Sequence, residues 1–324
     1  MAKRYGVPYK GSKNAIARDI VNFLPEDDVL VDICAGGCAI THAAMESGKW
    51  GGYIANDIDD MPLRLFRDAV TGKLKDEKRW ISRDDFRRLK DTDPYVRYCW
   101  SFGNNGEDYL YSREIEPYRK AQHEMFFAET VNERRVKYRT VISELNKYLI
   151  AAKKYIGGDV DLEIYHRLAS LERLQSLGGL RKLQSLESLQ SLESLQRLQS
   201  LQRLQSLQSL QSLESLEISS KDYAEVEIPQ NAIVYADIPY EGTNAGSYAG
   251  FDHRRFYDWA AKSAVPIYVS SYHIADERFT EVWSKKKTVL SSAKGGGIYA
   301  TEKIYANKAG MEKLSDSTAQ ISLF

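Results

Sequence analysis

The 324-residue chain has only three cysteines, Cys34, Cys38 and Cys99. Three are too few for a disulfide framework and indicate a reducing compartment. Cys34 and Cys38 do not have CxxC spacing, and the five histidines (His42, His123, His166, His253, His273) are scattered. A metal site is therefore not expected, and the cysteines read as small core residues. Net charge is absent too: 45 basic residues balance 45 acidic ones, which leaves only a local basic groove as a route to nucleic acid. No apolar run approaches the length of a membrane span. The N-terminal "MAKRYGVPYKGSK" has no apolar stretch behind its charges, so it does not read as a secretory signal. The expected location is the cytoplasm.

What the chain does have, in one place, is leucine. From Leu168 to Leu216 every third residue is leucine, separated almost entirely by Gln, Ser, Glu and Arg. This polar filler lowers the apolar share to 43% and raises the charged share to 28%, so the flanks still supply a core. A three-residue step turns each leucine by about −60° around an α-helix, so no single apolar face results. A short-coil solenoid uses the period as written. Gly178-Gly179 interrupts the composition without breaking the leucine phase. That also favours a solenoid, since paired glycines in a helix cost roughly 2 kcal/mol. The helix-forming residues of the run and its lack of β-branched ones speak for a helix. A tolerated spacer made by tandem expansion is the plain alternative.

The flanks alternate helix and strand signals. "KNAIARDIVNFLP" reads as helix, "DVLVDICA" as buried strand, "ITHAAMESGKW" as helix and "GGYIANDID" as strand. After the repeat, "NAIVYADIPY" and "VPIYVSSYH" read as strands around the helical "FDHRRFYDWAAKSA", and "KKKTVLSSA" with "TEKIYANK" as a closing hairpin. Lys285–Lys287 reads as a solvated turn. This pattern predicts one α/β domain split by an insert, with residues 1–83 and 219–324 in the domain, 84–166 a helical insert and 167–218 the repeat.

Two strand ends carry chemistry. Asp32, Ala35, Gly36 and Gly37 lie in "VDICAGGCA", a strand running through a small-residue turn into a helix. Glycines there let backbone approach a ligand beyond the carboxyl end of a strand. The turn lacks both GxGxxG and GxxxxGK[ST], which argues against a dinucleotide fold and a P-loop. Asp57 ends the next strand and suits ribose hydroxyls, so a nucleoside without pyrophosphate is the expected ligand. The second strand end is "VYADIPY", where Asp237 is followed by Ile238, Pro239 and Tyr240.

The order of "PYKGSK", the small-residue turn, the "ND" acid and the late "DIPY" resembles that of Dam-type DNA adenine N6-methyltransferases. "WSFGNNGEDYLYSREIEPY" resembles an insert of phage and prophage members, and the leucine triplets resemble repeats found at this place in some of them. The resemblance implies a Rossmann-like S-adenosylmethionine-dependent methyltransferase fold acting on double-stranded DNA. It implies S-adenosylmethionine on the Asp32–Gly37 turn (Asp32, Ala35, Gly36, Gly37), Asp57 on its ribose, and the Tyr9–Lys13 segment (Tyr9 and Lys13) closing the site. Adenine N6 is out of reach inside a duplex, so the base must be flipped at a cost of a few kcal/mol. Asp237 and a main-chain carbonyl beside it would accept both N6 hydrogens and stabilise the developing positive charge. Pro239 would stiffen the loop, and Tyr240 would stack on the base for about 1–3 kcal/mol.

Ile238 stands where the family has its first proline; the carbonyl is kept and some loop rigidity is expected to be lost. An acid at position 237 favours adenine N6 over cytosine N4. Methylation of cytosine N4 or of RNA, and a DNA-binding module with a weak active site, remain the alternatives. Ser270-Ser271-Tyr272 is a candidate for the base pocket. Arg87, Arg88, Arg134, Arg135 and the Lys137–Arg139 run in the insert, with Arg254 and Arg255, are candidate phosphate contacts. A phage or mobile-element origin, with a role in marking DNA against restriction, completes the expectation.

Overall fold

The computed structural model describes residues 4–156, 200, 203–204, 207, 210, 215–241, 250–289 and 298–321. The chain divides into two compact units, one of residues 1–75 and 202–324, the other of residues 76–201. The solenoid expected over 168–216 lies almost wholly outside the described residues. Leu204, Leu207 and Leu210 of that run are described, and all three are buried.

Along the chain, the first unit opens with α1 (Ala17–Phe23), β1 (Val29–Asp32), α2 (Ala39–Ser47), β2 (Gly52–Asn56) and α3 (Asp60–Val70). The second unit holds α4 (Arg83–Leu89), α5 (Pro94–Cys99), α6 (Glu116–Phe126) and α7 (Val131–Ile156). The chain then returns to the first unit with β3 (Leu216–Ser219), β4 (Ala232–Ala236), α8 (His253–Lys262) and β5 (Ile267–Ser271). It finishes with β6 (Thr280–Val289), β7 (Ile298–Ala306) and α9 (Lys308–Ile321).

The seven strands among the described residues join one sheet in the order β3-β2-β1-β4-β5-β7-β6. The first five are parallel, while β7 runs antiparallel to both β5 and β6. This is the α/β, Rossmann-like architecture expected from the flanks. β1 (Val-Leu-Val) and β4 (Ala-Ile-Val-Tyr-Ala) are nearly continuous apolar runs, as strands covered on both faces must be. All five residues of β4 are buried. The core includes Val31, Val234, Phe256, Ile267 and Val269.

Two local features differ from the expectations. β3 begins at Leu216, inside the stretch read as repeat, and pairs with β2 through Tyr53↔Leu216. Four residues emerging from a polar repeat give too little alternation to read as a strand. Lys285–Lys287 lies within β6 rather than in a turn. β6 is the edge of the sheet, where lysines discourage pairing with another chain, and Lys285 pairs with Asp19 at 2.5 Å.

In the second unit α4 and α5 start on side-chain caps. Ser82 accepts from the Asp85 amide, and Asp93 accepts from Tyr95 and Val96 ahead of a helix whose first residue is Pro94. Trp80 packs edge-on to Trp100 at 5.0 Å and lies parallel to Tyr111 at 5.9 Å, while His123 meets Phe127 at 4.7 Å. This aromatic cluster gives the unit its interior.

Candidate active site

The parallel register aligns Asp32 with Ala55 on one side and with Tyr235 on the other. Residues just beyond those positions, namely Ile33, Asn56, Asp57 and Asp237, therefore emerge along one edge of the sheet. Chain order reverses between β1 and β4, which makes this edge the switch point where ligands bind in open α/β sheets. A cavity of about 420 Å³ lies there, a volume in the range of small-molecule sites.

All eleven residues expected to bind cofactor or act in catalysis line this cavity. Tyr9, Lys13, Asp32, Ala35, Gly36, Gly37 and Asp57 form one part of its wall. Asp237, Ile238, Pro239 and Tyr240 form another. Of the expected phosphate contacts, Arg255 lines the cavity and Arg254 is an exposed residue of α8 that does not. Arg87, Arg88, Arg134 and Arg135 belong to the second unit. There Arg87 and Arg88 pair with Asp84 and Asp85 on their own helix, and Arg134 donates to the Ala128 carbonyl.

The glycine turn is held by contacts within the protein. The Gly36 amide donates to Asp57 Oδ2 at 2.8 Å, and the Asp59 amide to Asp57 Oδ1 at 3.0 Å. These bonds fix the acid while leaving lone pairs for a ligand. The space where Gly37 lacks a side chain is filled by the N-terminal segment: a Cβ there would meet Tyr9 Cβ at 2.7 Å and the Val7 carbonyl at 3.2 Å. Gly6, at φ +69°, is closer still, since a Cβ would meet the Gly37 carbonyl at 2.2 Å. Val7 donates to that same carbonyl at 2.8 Å. Residues 5–9 thus form a strap pressed on the turn. Arg203, from the leucine repeat, donates to the carbonyls of Tyr5 and Gly6, the latter at 2.6 Å.

Asp32 is buried beneath the turn, where Thr41 donates to its Oδ2 from amide (3.1 Å) and hydroxyl (2.7 Å). Burial pushes its carboxyl up to about 7, and Asp237 and Asp57 add to the shift, while the Thr41 bonds oppose it. Burial likewise raises the thiols of Cys34 and Cys38, helped by nearby carboxylates. Neither is poised as a nucleophile. Among the described residues no group of three or more His, Cys, Asp or Glu is placed to hold a metal ion. No helix among them is long and apolar enough to cross a membrane.

Around Asp237, Lys13 Nζ lies 2.6 Å from Oδ1 and 4.9 Å from the centre of the Tyr240 ring. The Tyr240 hydroxyl donates to Glu302, and its ring meets Tyr272 edge-on at 4.4 Å. Burial, with the charges of Asp237 and Glu302, raises this hydroxyl far above the usual phenol range, so it remains a donor. Ile238 is buried in the core cluster with Phe256 and Ile274. Ile238, where the resemblance expects a proline, is thus anchored by packing. His253 adds a second anchor, its Nε2 donating to the Pro239 carbonyl at 2.6 Å.

Several lining residues were not anticipated. Ile58, 63% exposed beside Asp57, gives the cavity an apolar face. Asp222 forms a bidentate pair with Arg255 at 2.8 and 3.0 Å, and that guanidinium lies 5.1 Å from the Tyr223 ring. A large apolar side chain directly after the strand-end acid was the one readable signal for Ile58.

Residues 9–156 match the family model of D12 class N6 adenine-specific DNA methyltransferases. The matched range takes in the strap from Tyr9, the glycine turn, Asp57 and the insert as far as residue 156, and ends before the Asp237 loop. No curated protein matches the chain. The motif order and the sheet agree with the family match, and over residues 9–156 the chain is similar to the D12 class of N6 adenine-specific DNA methyltransferases.

Proposed function

We propose that this methyltransferase uses S-adenosylmethionine and acts on an adenine flipped out of double-stranded DNA in the cytoplasm, with Asp237 receiving the N6 amine. The observation that carries this reading is that the ribose-type acid Asp57 and the Asp237 loop line one cavity at the switch point of the sheet. The chemistry of the lining fits the cofactor. Asp32, Asp57, Asp222, Asp237 and Asp252 line the cavity with Lys13, Lys221 and Arg255. Asp222 and Arg255 neutralise each other, and even with Asp32 protonated the other three acids outnumber the two lysines. The remaining balance suits a ligand with positive charge, and Ile58 offers an apolar surface to a purine. Asp57 would hold the ribose and the strap at Tyr9 would cover the ligand.

When bound, S-adenosylmethionine supplies an electrophilic methyl group on a cationic sulfur. Everything else falls to the chain. The adenine amine is a poor nucleophile because its lone pair is delocalised into the ring. Asp237 accepts one N6 hydrogen and the Ile238 carbonyl the other, which turns the lone pair out of the ring plane toward the methyl group. The Asp237 carboxylate then opposes the positive charge that grows on nitrogen. Tyr240 stacks on the extruded base, repaying part of the few kcal/mol spent on unstacking it. No covalent intermediate with the protein is required.

The test is to follow transfer of labelled methyl groups to unmethylated duplex DNA, with cofactor affinity measured separately by calorimetry. Binding with transfer supports the reading. Binding without transfer to any duplex would favour a DNA-binding module, and transfer to cytosine or RNA would replace the substrate.

A further inference from the structure

Behind the catalytic loop sits a carboxylate that the chemistry above does not use. Glu302 of β7 is fully buried. Its Oε1 accepts from the Ser270 hydroxyl at 2.7 Å and from the Tyr240 hydroxyl, and lies 3.7 Å from Lys13 Nζ. That same ammonium is 2.6 Å from Asp237 Oδ1. One cation therefore stands between two carboxylates, bonded to the first and within easy reach of the second.

The pairing of Lys13 with Asp237 is at odds with methyl transfer. A charge-assisted bond from Lys13 occupies one oxygen of Asp237. It also offsets the negative charge that a nitrogen turning cationic needs beside it. Lys13 is only 7% exposed, so withdrawing it to a place without a counter-ion would leave a buried charge uncompensated. Glu302 provides the counter-ion, and a shift of about 1 Å brings Nζ to hydrogen-bond distance from it.

We propose that Lys13 passes from Asp237 to Glu302 when the target amine enters. Before the base arrives, Lys13 keeps Asp237 oriented; afterwards Glu302 holds the lysine aside while Asp237 accepts from the amine. Glu302 is then a positioning residue that acts through Lys13 and through the hydroxyl of Tyr240. The inference rests on the adenine N6 reading of the Asp237 loop.

The experiment measures kcat and KM for methyl transfer to duplex DNA in the wild type, Glu302→Gln, Lys13→Met and the double variant. Wild-type transfer to adenine and its loss in Asp237→Ala come first. If these fail, the parent reading falls and takes this one with it. Given them, Glu302→Gln keeps acceptors for both hydroxyls but removes the charge, so Lys13 stays on Asp237. A loss of about tenfold to a hundredfold in kcat/KM is expected, the worth of one charge-assisted hydrogen bond. Adding Lys13→Met to Glu302→Gln should restore part of that loss, because nothing is left to block Asp237. An unchanged rate in Glu302→Gln, or a double variant no faster than it, overturns the proposal. If Glu302→Gln does not melt cooperatively, Glu302→Asp, which keeps the charge but retracts it, takes its place with the same rescue required.

Discussion

Replacing Asp32 with asparagine should change how the stability of the protein depends on pH. Asp32 is held below the glycine turn, and burial moves its carboxyl from 3.8 to about 7. Between those two values the folded chain keeps a proton that the unfolded chain releases. Stability therefore falls as pH rises through the window, by at most about 1.4 kcal/mol per unit and by about 4 kcal/mol in all. Above pH 7 the whole penalty is present; near pH 4 almost none of it is. Asparagine keeps an acceptor for the Thr41 amide and hydroxyl but has no charge to bury. Urea unfolding of the two proteins at pH 4.5, 6 and 8 gives the comparison, since other titrating groups cancel in the difference. The variant should match the wild type at the acid end and gain steadily on it toward pH 8. Parallel curves across the window would show that Asp32 is ionised at no cost, and the reasoning from burial would fail.

The strap supplies two further expectations. Gly37→Ala sets a methyl group against Tyr9 Cβ and the Val7 carbonyl, so it should destabilise the protein by about 1–3 kcal/mol and weaken S-adenosylmethionine binding; unchanged melting and affinity would mean the strap moves away freely. Arg203→Ala removes the donors to the Tyr5 and Gly6 carbonyls and should speed hydrogen exchange at the Val7 amide, which is bonded to Gly37. Unaltered exchange there would separate the leucine repeat from the candidate site.

Much of the site was legible because it is local in sequence. A buried apolar run that stops at an acid, as at Asp32, Asp57 and Asp237, marks the carboxyl end of a parallel strand. Parallel packing then brings such ends together without any further information. What could not be read depends on partners distant in the chain. Glu302 sits in "ATEKIYAN", an alternating strand in which a glutamate looks like a solvent-facing position, yet it meets Tyr240, 62 residues away. The glycine turn was located, but no local pattern displays the strap of residues 5–9 that presses on it. The burial of Ile238 in the core was not readable either, since the neighbours that receive the side chain lie on other elements. Arg255 rather than Arg254 reaches the cavity because adjacent residues on a helix face different ways.

The central claim, that Asp237 directs methyl transfer to adenine N6, is tested most directly by mapping modified bases in DNA treated with the wild type and with Asp237→Ala. The account predicts N6-methyladenine in a fixed short sequence context, with the rate in the variant down by about a hundredfold or more and cofactor binding retained. N4-methylcytosine as the product, or N6-methyladenine formed at an undiminished rate by Asp237→Ala, would contradict it.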